Sequence, residues 1–268
     1  MNIFESIILG LIQGLTEFLP VSSSGHLVLV SSMFGLDSGN ITFEVFLHFA
    51  TFLAVVVFFF REIAAMAGAP FEYALQGKRS AEVSSRLKYI LLIIIGTIPA
   101  VIVGLKFKDR IEEAFGSPFL TGIMLIVTSI ILFLTLLAKP RREKLNIIDS
   151  IIIGLAQAAA ILPGISRSGS TISTAMYLGV DKQTAFNFSF LLSLPAILGA
   201  FILKLKDALE AGIPSGQLVL YLAGMITAFI SGYICLVVLR KIVIAGKFAY
   251  FGIYTLIIGI LTIILSHG

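Results

Sequence analysis

The chain has 268 residues, of which 58% are hydrophobic and 13% are charged, and its mean hydropathy is +1.05. Soluble domains carry about 25% charged residues, so this composition excludes an ordinary soluble protein. The net charge of +4 says little by itself, and no nucleic-acid partner is expected. The single cysteine, Cys235, excludes an internal disulfide framework. The first apolar stretch lacks a basic leader and carries Glu5 and Glu17, so no cleavable signal peptide is expected.

Six apolar runs dominate the chain. At about 1.5 Å per residue, each is long enough to cross a hydrocarbon core of about 30 Å. The sequence therefore predicts an all-α polytopic membrane protein, folded as a single membrane domain over residues 1–268. The predicted spans are 42–60, 89–105, 119–138, 185–203, 217–239 and 248–266.

The chain also repeats itself. Residues 2–13, "NIFESIILGLIQ", reappear as "NIIDSIIIGLAQ" at 146–157, and eight of the twelve positions are identical. The identical positions include Asn, Ser, Gly and Gln, which a shared apolar composition does not explain, so duplication is favoured over chance. We place the first repeat at about 1–138 and the second at about 145–268.

Each repeat begins with two short apolar arms joined by a polar turn, 3–19 with 26–35 and 147–162 with 171–180. Neither arm is long enough to cross comfortably, which is typical of a re-entrant helix hairpin. Each repeat then crosses the membrane three times, and an odd number of crossings inverts the second copy. The two hairpins are therefore expected to enter from opposite faces, with their polar tips meeting near the midplane.

Basic residues predict the orientation of the chain. Loops 61–88, 139–144 and 240–247, together with Lys182, hold thirteen cations, against five on the opposite side. The richer side should be cytoplasmic, which leaves both termini outside. A mildly amphipathic stretch in 62–88 is expected to form a surface helix on the cytoplasmic side.

The two polar turns carry the charges. Glu17 is the only carboxylate between residues 6 and 36, and Arg167 is the only charged residue between 150 and 180. A charge at membrane depth costs several kcal/mol unless it is paired or hydrated. An acid and a base in matching regions of the two copies are therefore functional candidates.

The second turn reads "PGISRSGST", 163–171, and the same offset of 144 places Arg167 on Ser23 of the first turn. Pro163 and Gly164 break the incoming helix, and hydroxyls precede the next apolar run, where N-cap chemistry is expected. Free N–H groups, hydroxyls and a guanidinium form a cradle that suits phosphate. The hydroxyls of the two turns are those of Ser22, Ser23, Ser24, Ser166, Ser168, Ser170 and Thr171.

Structural alternatives exist for each feature. Ser-rich turns often cap membrane helices without any ligand, and Glu17 could pair with Arg167 as a purely structural bridge. His26 alone is more typical of a satisfied polar residue, and Glu44 and His48, four residues apart, are expected at the interface or behind the site. Physical reasoning reaches a midplane site for a phosphate-bearing ligand with an apolar tail. It does not separate hydrolysis from transport.

Two motifs carry a resemblance to a known family. "QGLTEFLPVSSSGH" at 13–26 and "PGISRSGST" at 163–171 resemble the two signatures of the undecaprenyl-diphosphate phosphatase (BacA/UppP bacitracin-resistance) family. The resemblance implies hydrolysis of undecaprenyl diphosphate to undecaprenyl phosphate and phosphate, on the outward side of the plasma membrane. This recycles the lipid carrier for peptidoglycan synthesis and confers bacitracin resistance. The resemblance also implies a divalent cation, Mg²⁺ or Ca²⁺, and is compatible with a homodimer.

The resemblance also assigns roles to residues. Gln13 and Glu17 match an (E/Q)xxxE signature, so both would hold the metal, and Glu17 could instead orient the nucleophile. Ser23 would be the nucleophile and His26 the general acid or base, with Glu17 as the competing base. His26 or water is the alternative nucleophile. Many members have an acid where this chain has Gln13, so one anionic metal ligand is lost here. The diphosphate would bind to Arg167, helped by Ser22, Ser24, Ser166, Ser168 and Thr171.

Two other functions stay open from sequence. Inverted repeats and hairpins are shared with transporters, so a polyprenyl-phosphate transporter or flippase could use the same midplane site. A paralogue that binds polyprenyl phosphates without turnover is the second alternative. The intact Ser23, His26 and Arg167 argue against that paralogue.

Overall fold

The computed structural model describes residues 1–26, 41–74, 79–139, 141–211 and 216–266, and for residues 41 and 204–211 it describes the backbone only. Within these ranges the regular elements are helices, and a single isolated bridge pairs Arg142 with Val180. The all-α prediction is therefore confirmed. The helices are α1 Ile3–Phe18, α2 Ile41–Phe58, α3 Phe60–Ala74, α4 Ala81–Lys106, α5 Lys108–Phe115, α6 Pro118–Leu134, α7 Ile147–Ala159, α8 Arg167–Tyr177, α9 Lys182–Ala211, α10 Leu218–Ile244 and α11 Phe251–Ser266, with 3₁₀ turns at Thr135–Leu137 and Phe248–Tyr250.

Five helices are long and apolar enough to cross a membrane, and they match five of the six predicted spans. They are Ala81–Lys106, Pro118–Leu137, Lys182–Leu203, Leu218–Ile244 and Phe248–Ser266. The sixth predicted span, 42–60, is α2, which meets α3 at a bend of 76°. By length and composition, the described residues thus contain five candidate spans, or up to six if the bent pair counts as one. Helix α3 lies in the stretch that was expected to be a surface helix.

The second hairpin returns to the point where it starts. Arg142 donates two hydrogen bonds of 2.6 Å to Asp149 in the first turn of α7, and a third, 2.8 Å, to the Leu178 carbonyl just after α8. Burial by itself would raise the pKa of Asp149, but hydrogen bonds from Arg142 and from the Asn146 amide, with the charge of Arg142, lower it below its usual value. The chain therefore enters and leaves this hairpin at one place, as the re-entrant arrangement requires.

The first hairpin begins in the same way. A capping box joins Asn2 with Glu5 at the start of α1, and another joins Asn146 with Asp149 at the start of α7. Helix α1 ends at Phe18, and the extended backbone of Leu19 follows from the proline after it. Residues 23–26 are helical again, and the rest of the second arm, predicted to reach residue 35, lies outside the described residues.

Glycine contacts hold the two halves together. A Cβ added at Gly10 of α1 would collide with the Gly224 carbonyl oxygen of α10, and one at Gly154 of α7 would collide with the Gly96 carbonyl oxygen of α4. In the same pairs, Ser6 donates to the Leu220 carbonyl and Ser150 to the Leu92 carbonyl. Small residues let helix backbones approach this closely in a membrane. Each hairpin therefore packs its first arm on a spanning helix of the other half.

We expect Gly10→Ala to lower the thermal stability of the purified protein, because the added methyl group meets backbone rather than a movable side chain. Overpacking of this kind costs about 1–3 kcal/mol. The matched control is Gly199→Ala on α9, where an added Cβ meets nothing within 4 Å. Melting followed by circular dichroism in detergent should separate the two variants. An unchanged melting temperature for Gly10→Ala would contradict this packing.

Candidate active site

The acid of one half and the base of the other are in contact. Glu17 lies in the last turn of α1 and Arg167 is the first residue of α8. The Arg167 Nη2 donates to Glu17 Oε1 at 2.9 Å, and the two side chains are 16% and 9% exposed. The two hairpin tips therefore meet at one ion pair.

Aromatic rings close the site on one side. The Phe190 ring lies 5.9 Å from the Arg167 Cζ, and it packs edge-on against Phe18 with ring centroids 5.7 Å apart. Both rings are fully buried. Charges in such a poorly hydrated environment interact more strongly than in water.

A serine hydroxyl lies on the other carboxylate oxygen. Ser23 Oγ donates to Glu17 Oε2 at 2.7 Å. Ser22, directly before it, has a φ of +67°, a left-handed conformation that a non-glycine residue adopts only when its surroundings enforce it. This turn places the Ser23 hydroxyl beside the carboxylate that could accept its proton.

Two side chains from α1 and α2 complete the surroundings of Glu17. The fully buried Gln13 places its Nε2 3.1 Å from Glu17 Oε2 and 2.9 Å from His48 Nδ1. His48 Nδ1 is also 3.5 Å from Glu17 Oε2, and its side chain is 39% exposed. Sequence analysis put His48 at the interface or behind the site, whereas the structure brings it against Gln13 and Glu17. The only sequence signal was its position on the same helix face as Glu44.

His26 does not point toward Ser23. Its Nδ1 lies 2.9 Å from the Ser22 carbonyl oxygen and therefore donates to it, which leaves Nε2 of a neutral ring to accept from the Tyr254 hydroxyl at 2.7 Å. The ring stacks on Tyr254 of α11, with centroids 5.6 Å apart. Tyr254 was missed because nothing in the sequence pairs α11 with the first hairpin.

The hydroxyls predicted to bind phosphate make hydrogen bonds within their own hairpin tip, and that of Ser22 also joins the two tips. Ser22 Oγ accepts from the Gly164 N–H at 3.1 Å, and Ser166 Oγ accepts from the Gly169 N–H at 3.1 Å as the N-cap of α8. Thr171 Oγ1 donates to the Arg167 carbonyl at 2.8 Å. Ser168 is buried with its Oγ 3.3 Å from that of Ser166, and the half-buried Ser24 has its Oγ 3.3 Å from that of Ser22.

One donor of the guanidinium stays free for a ligand. Arg167 Nη1 is buried and has no hydrogen-bond partner among the described residues, whereas Nη2 is taken by Glu17. A buried unpaired donor is costly, so a ligand that accepts from it would be favoured. A phosphate oxygen fits this requirement.

The donor set can also accommodate a cation. Over the part of the chain that the structure describes, no group of three His, Cys, Asp or Glu side chains could hold a metal ion, so a site here needs the Gln13 amide. Gln13 Oε1 is buried and lacks a partner among those residues. The atom beside the Glu17 carboxylate is Gln13 Nε2, and a half-turn of the amide would bring Oε1 there, which together with the carboxylate gives the oxygen ligands that Mg²⁺ and Ca²⁺ prefer. Gln13 and Glu17 therefore fit a divalent cation.

Fold and site together define an integral membrane protein whose two helix hairpins build a buried site of carboxylate, guanidinium and hydroxyl. The family model described as "Bacitracin resistance protein BacA" matches residues 6–261, and the chain belongs to this family. It is 43% identical to an undecaprenyl-diphosphatase of Bacteroides fragilis, covering 100% of this chain and 99% of that protein. It is 42% identical to one from Carboxydothermus hydrogenoformans, covering 99% and 98%, and 40% identical to one from Halothermothrix orenii, covering 99% of each.

Proposed function

We propose that the chain is a membrane phosphatase that hydrolyses undecaprenyl diphosphate to undecaprenyl phosphate and inorganic phosphate. The observation that carries this proposal is the arrangement at Glu17, where one carboxylate oxygen accepts from the Ser23 hydroxyl and the other from Arg167. The relatives named undecaprenyl-diphosphatase, which match over nearly their whole length, support the same substrate.

In the first step Ser23 Oγ attacks the terminal phosphorus, and the bond between this phosphorus and the bridging oxygen breaks. Glu17 takes the hydroxyl proton and passes it to the leaving lipid phosphate. An unaided serine is a weak nucleophile, and a carboxylate at 2.7 Å supplies the base it needs. Water then attacks the phosphoserine, gives a proton to Glu17, and releases phosphate as Glu17 returns that proton to Ser23.

Arg167 stabilises the charge of the transferred group. Its unpaired Nη1 donates to a phosphoryl oxygen while Nη2 stays on Glu17. Phosphoryl transfer depends mainly on positioning and charge neutralisation, which a fixed guanidinium provides. A divalent cation held by Gln13 and Glu17 would add positive charge beside the same oxygens.

The proposal includes the membrane placement. The hairpin tips would meet within the plasma membrane and open to its outer side, in an inverted repeat whose matching contacts are Gly10 on Gly224 and Gly154 on Gly96. There the enzyme would recycle the lipid carrier for cell-wall synthesis and protect against bacitracin.

Transport is the competing function, and release of phosphate by the purified protein in detergent, where no transport can occur, separates the two. We expect release from farnesyl or undecaprenyl diphosphate, and a loss of at least about 10²-fold in Arg167→Ala and Glu17→Gln. Arg86→Ala, at an exposed ion pair with Glu82, is the control and should keep full activity. A folded preparation that releases no phosphate would favour a transporter or a binding protein.

Ser23→Ala should slow phosphate release at least as much as His26→Ala, because the Ser23 hydroxyl contacts the base and His26 contacts Ser22 and Tyr254. Initial rates at saturating substrate measure this difference. If Ser23→Ala keeps most of the activity, Ser23 is not the nucleophile, and a Glu17-activated water becomes the better assignment.

Cysteine labelling tests the orientation. In a Cys235→Ala background, Glu143→Cys should be protected from impermeant thiol reagents in intact cells, whereas Glu112→Cys should be labelled. Both glutamates are exposed in the structure. The opposite pattern of labelling would reverse the proposed topology.

A further inference from the structure

Three potential ligand atoms lie close together on one side of the Glu17 carboxylate. Gln13 Nε2 is 3.1 Å from Glu17 Oε2 and 2.9 Å from His48 Nδ1. Glu17 Oε2 and His48 Nδ1 are 3.5 Å apart. Ligands at right angles around a cation with bonds of about 2.1–2.4 Å are separated by about 3.0–3.4 Å. The distance of 3.1 Å falls within this range, and those of 2.9 Å and 3.5 Å lie just outside it, so a small adjustment of the side chains would place all three around one ion.

The Gln13 amide has an unused acceptor. Its nitrogen makes both contacts, while the buried Oε1 has no hydrogen-bond partner among the described residues. The oxygen and nitrogen of an amide have nearly the same size, so a half-turn about the last side-chain bond exchanges them without a new clash. After this exchange the oxygen faces Glu17 Oε2 and His48 Nδ1, and three acceptors converge. A bound cation satisfies such a set, and without one a proton on His48 Nδ1 would do so.

We propose that His48 joins Gln13 and Glu17 as the third protein ligand of the divalent cation, and that it shifts the preference of this site from Ca²⁺ towards Mn²⁺. The proposal rests on the proposed function only in assigning the cation to Gln13 and Glu17. His48 reaches the carboxylate from α2, a helix that neither signature motif includes.

The shift in preference follows from the nitrogen ligand. Ca²⁺ and Mg²⁺ bind almost entirely through oxygen, whereas imidazole suits transition metals. Gln13 contributes no charge, and Glu17 shares its charge with Arg167, so the oxygen ligands alone hold a hard cation weakly. An imidazole adds affinity for Mn²⁺ that it does not add for Ca²⁺.

The test measures cation binding to the full-length protein in detergent, without lipid substrate. Bound Mn²⁺ is followed by the loss of the electron paramagnetic resonance signal of free Mn²⁺, and Ca²⁺ affinity by competition. We expect His48→Gln to weaken Mn²⁺ binding by at least roughly tenfold, since loss of even an outer partner has that effect. Because glutamine keeps an oxygen ligand, Ca²⁺ affinity should change much less, and the preference for Mn²⁺ should fall.

Two further variants serve as controls for the effect of His48→Gln. His26→Gln removes an imidazole that contacts Ser22 and Tyr254 instead, and it should leave the affinity for both ions unchanged. Gln13→Glu adds an anionic ligand and should increase the affinity for both ions without removing the preference for Mn²⁺. An unchanged ratio of the two affinities in His48→Gln, with an unchanged melting temperature, would overturn the proposal and leave His48 a hydrogen-bond partner of Gln13. Phosphate release by the wild-type protein, measured separately, would still stand.

Discussion

The ion pair between Glu17 and Arg167 is the interaction on which the site depends. Each charge sits at the tip of a hairpin that would expose it to a poorly hydrated environment, and each would be strongly unfavourable alone. Their contact at 2.9 Å needs both hairpins to reach the same place from different halves of the chain. Folding of the two halves and formation of the site are therefore the same event.

The packing around the pair explains how the tips are held there. The Gly164 amide of one tip donates to the Ser22 hydroxyl of the other, and Thr128 of α6 donates to the Gly164 carbonyl and accepts from the Ser166 amide. Further along the hairpins, glycines at α1–α10 and α4–α7 remove the side chains that would keep these helices apart. The hydroxyls that look like ligands for phosphate in the sequence thus serve mainly to fix the backbone. In the proposed mechanism the groups that act on the substrate are the guanidinium, the carboxylate and the Ser23 hydroxyl.

The features of the fold that depend on short-range physical rules could be predicted from the sequence. Span lengths follow from bilayer thickness, the break at Pro163 and Gly164 follows from backbone sterics, and the pairing of Glu17 with Arg167 follows from the duplication and the scarcity of charge. His48 was expected near the site only from the helix face that it shares with Glu44, and Tyr254 was not predicted. Each touches the site only because a helix distant in sequence packs against the first hairpin, and one lone imidazole or phenol on an apolar helix carries no signal of that packing. The bend of 76° between α2 and α3 agrees with the predicted span at 42–60 followed by a surface helix in 62–88.

The duplication predicted from the sequence, if followed by divergence, would account for a single site rather than two. The offset of 144 residues pairs Gln13 with Gln157, Glu17 with Ile161 and Ser23 with Arg167. Two acids facing two bases would create a second set of buried charges with no further chemistry to perform, and each set would need its own compensation. In the second half the acid is replaced by an apolar residue, and the position of the serine is taken by the guanidinium. Gln157 stays buried, with both amide atoms lacking a partner among the described residues, because the carboxylate that orients Gln13 has no counterpart there. In the proposed mechanism, one half thus supplies the nucleophile and its base, and the other half supplies the positive charge that the reaction needs.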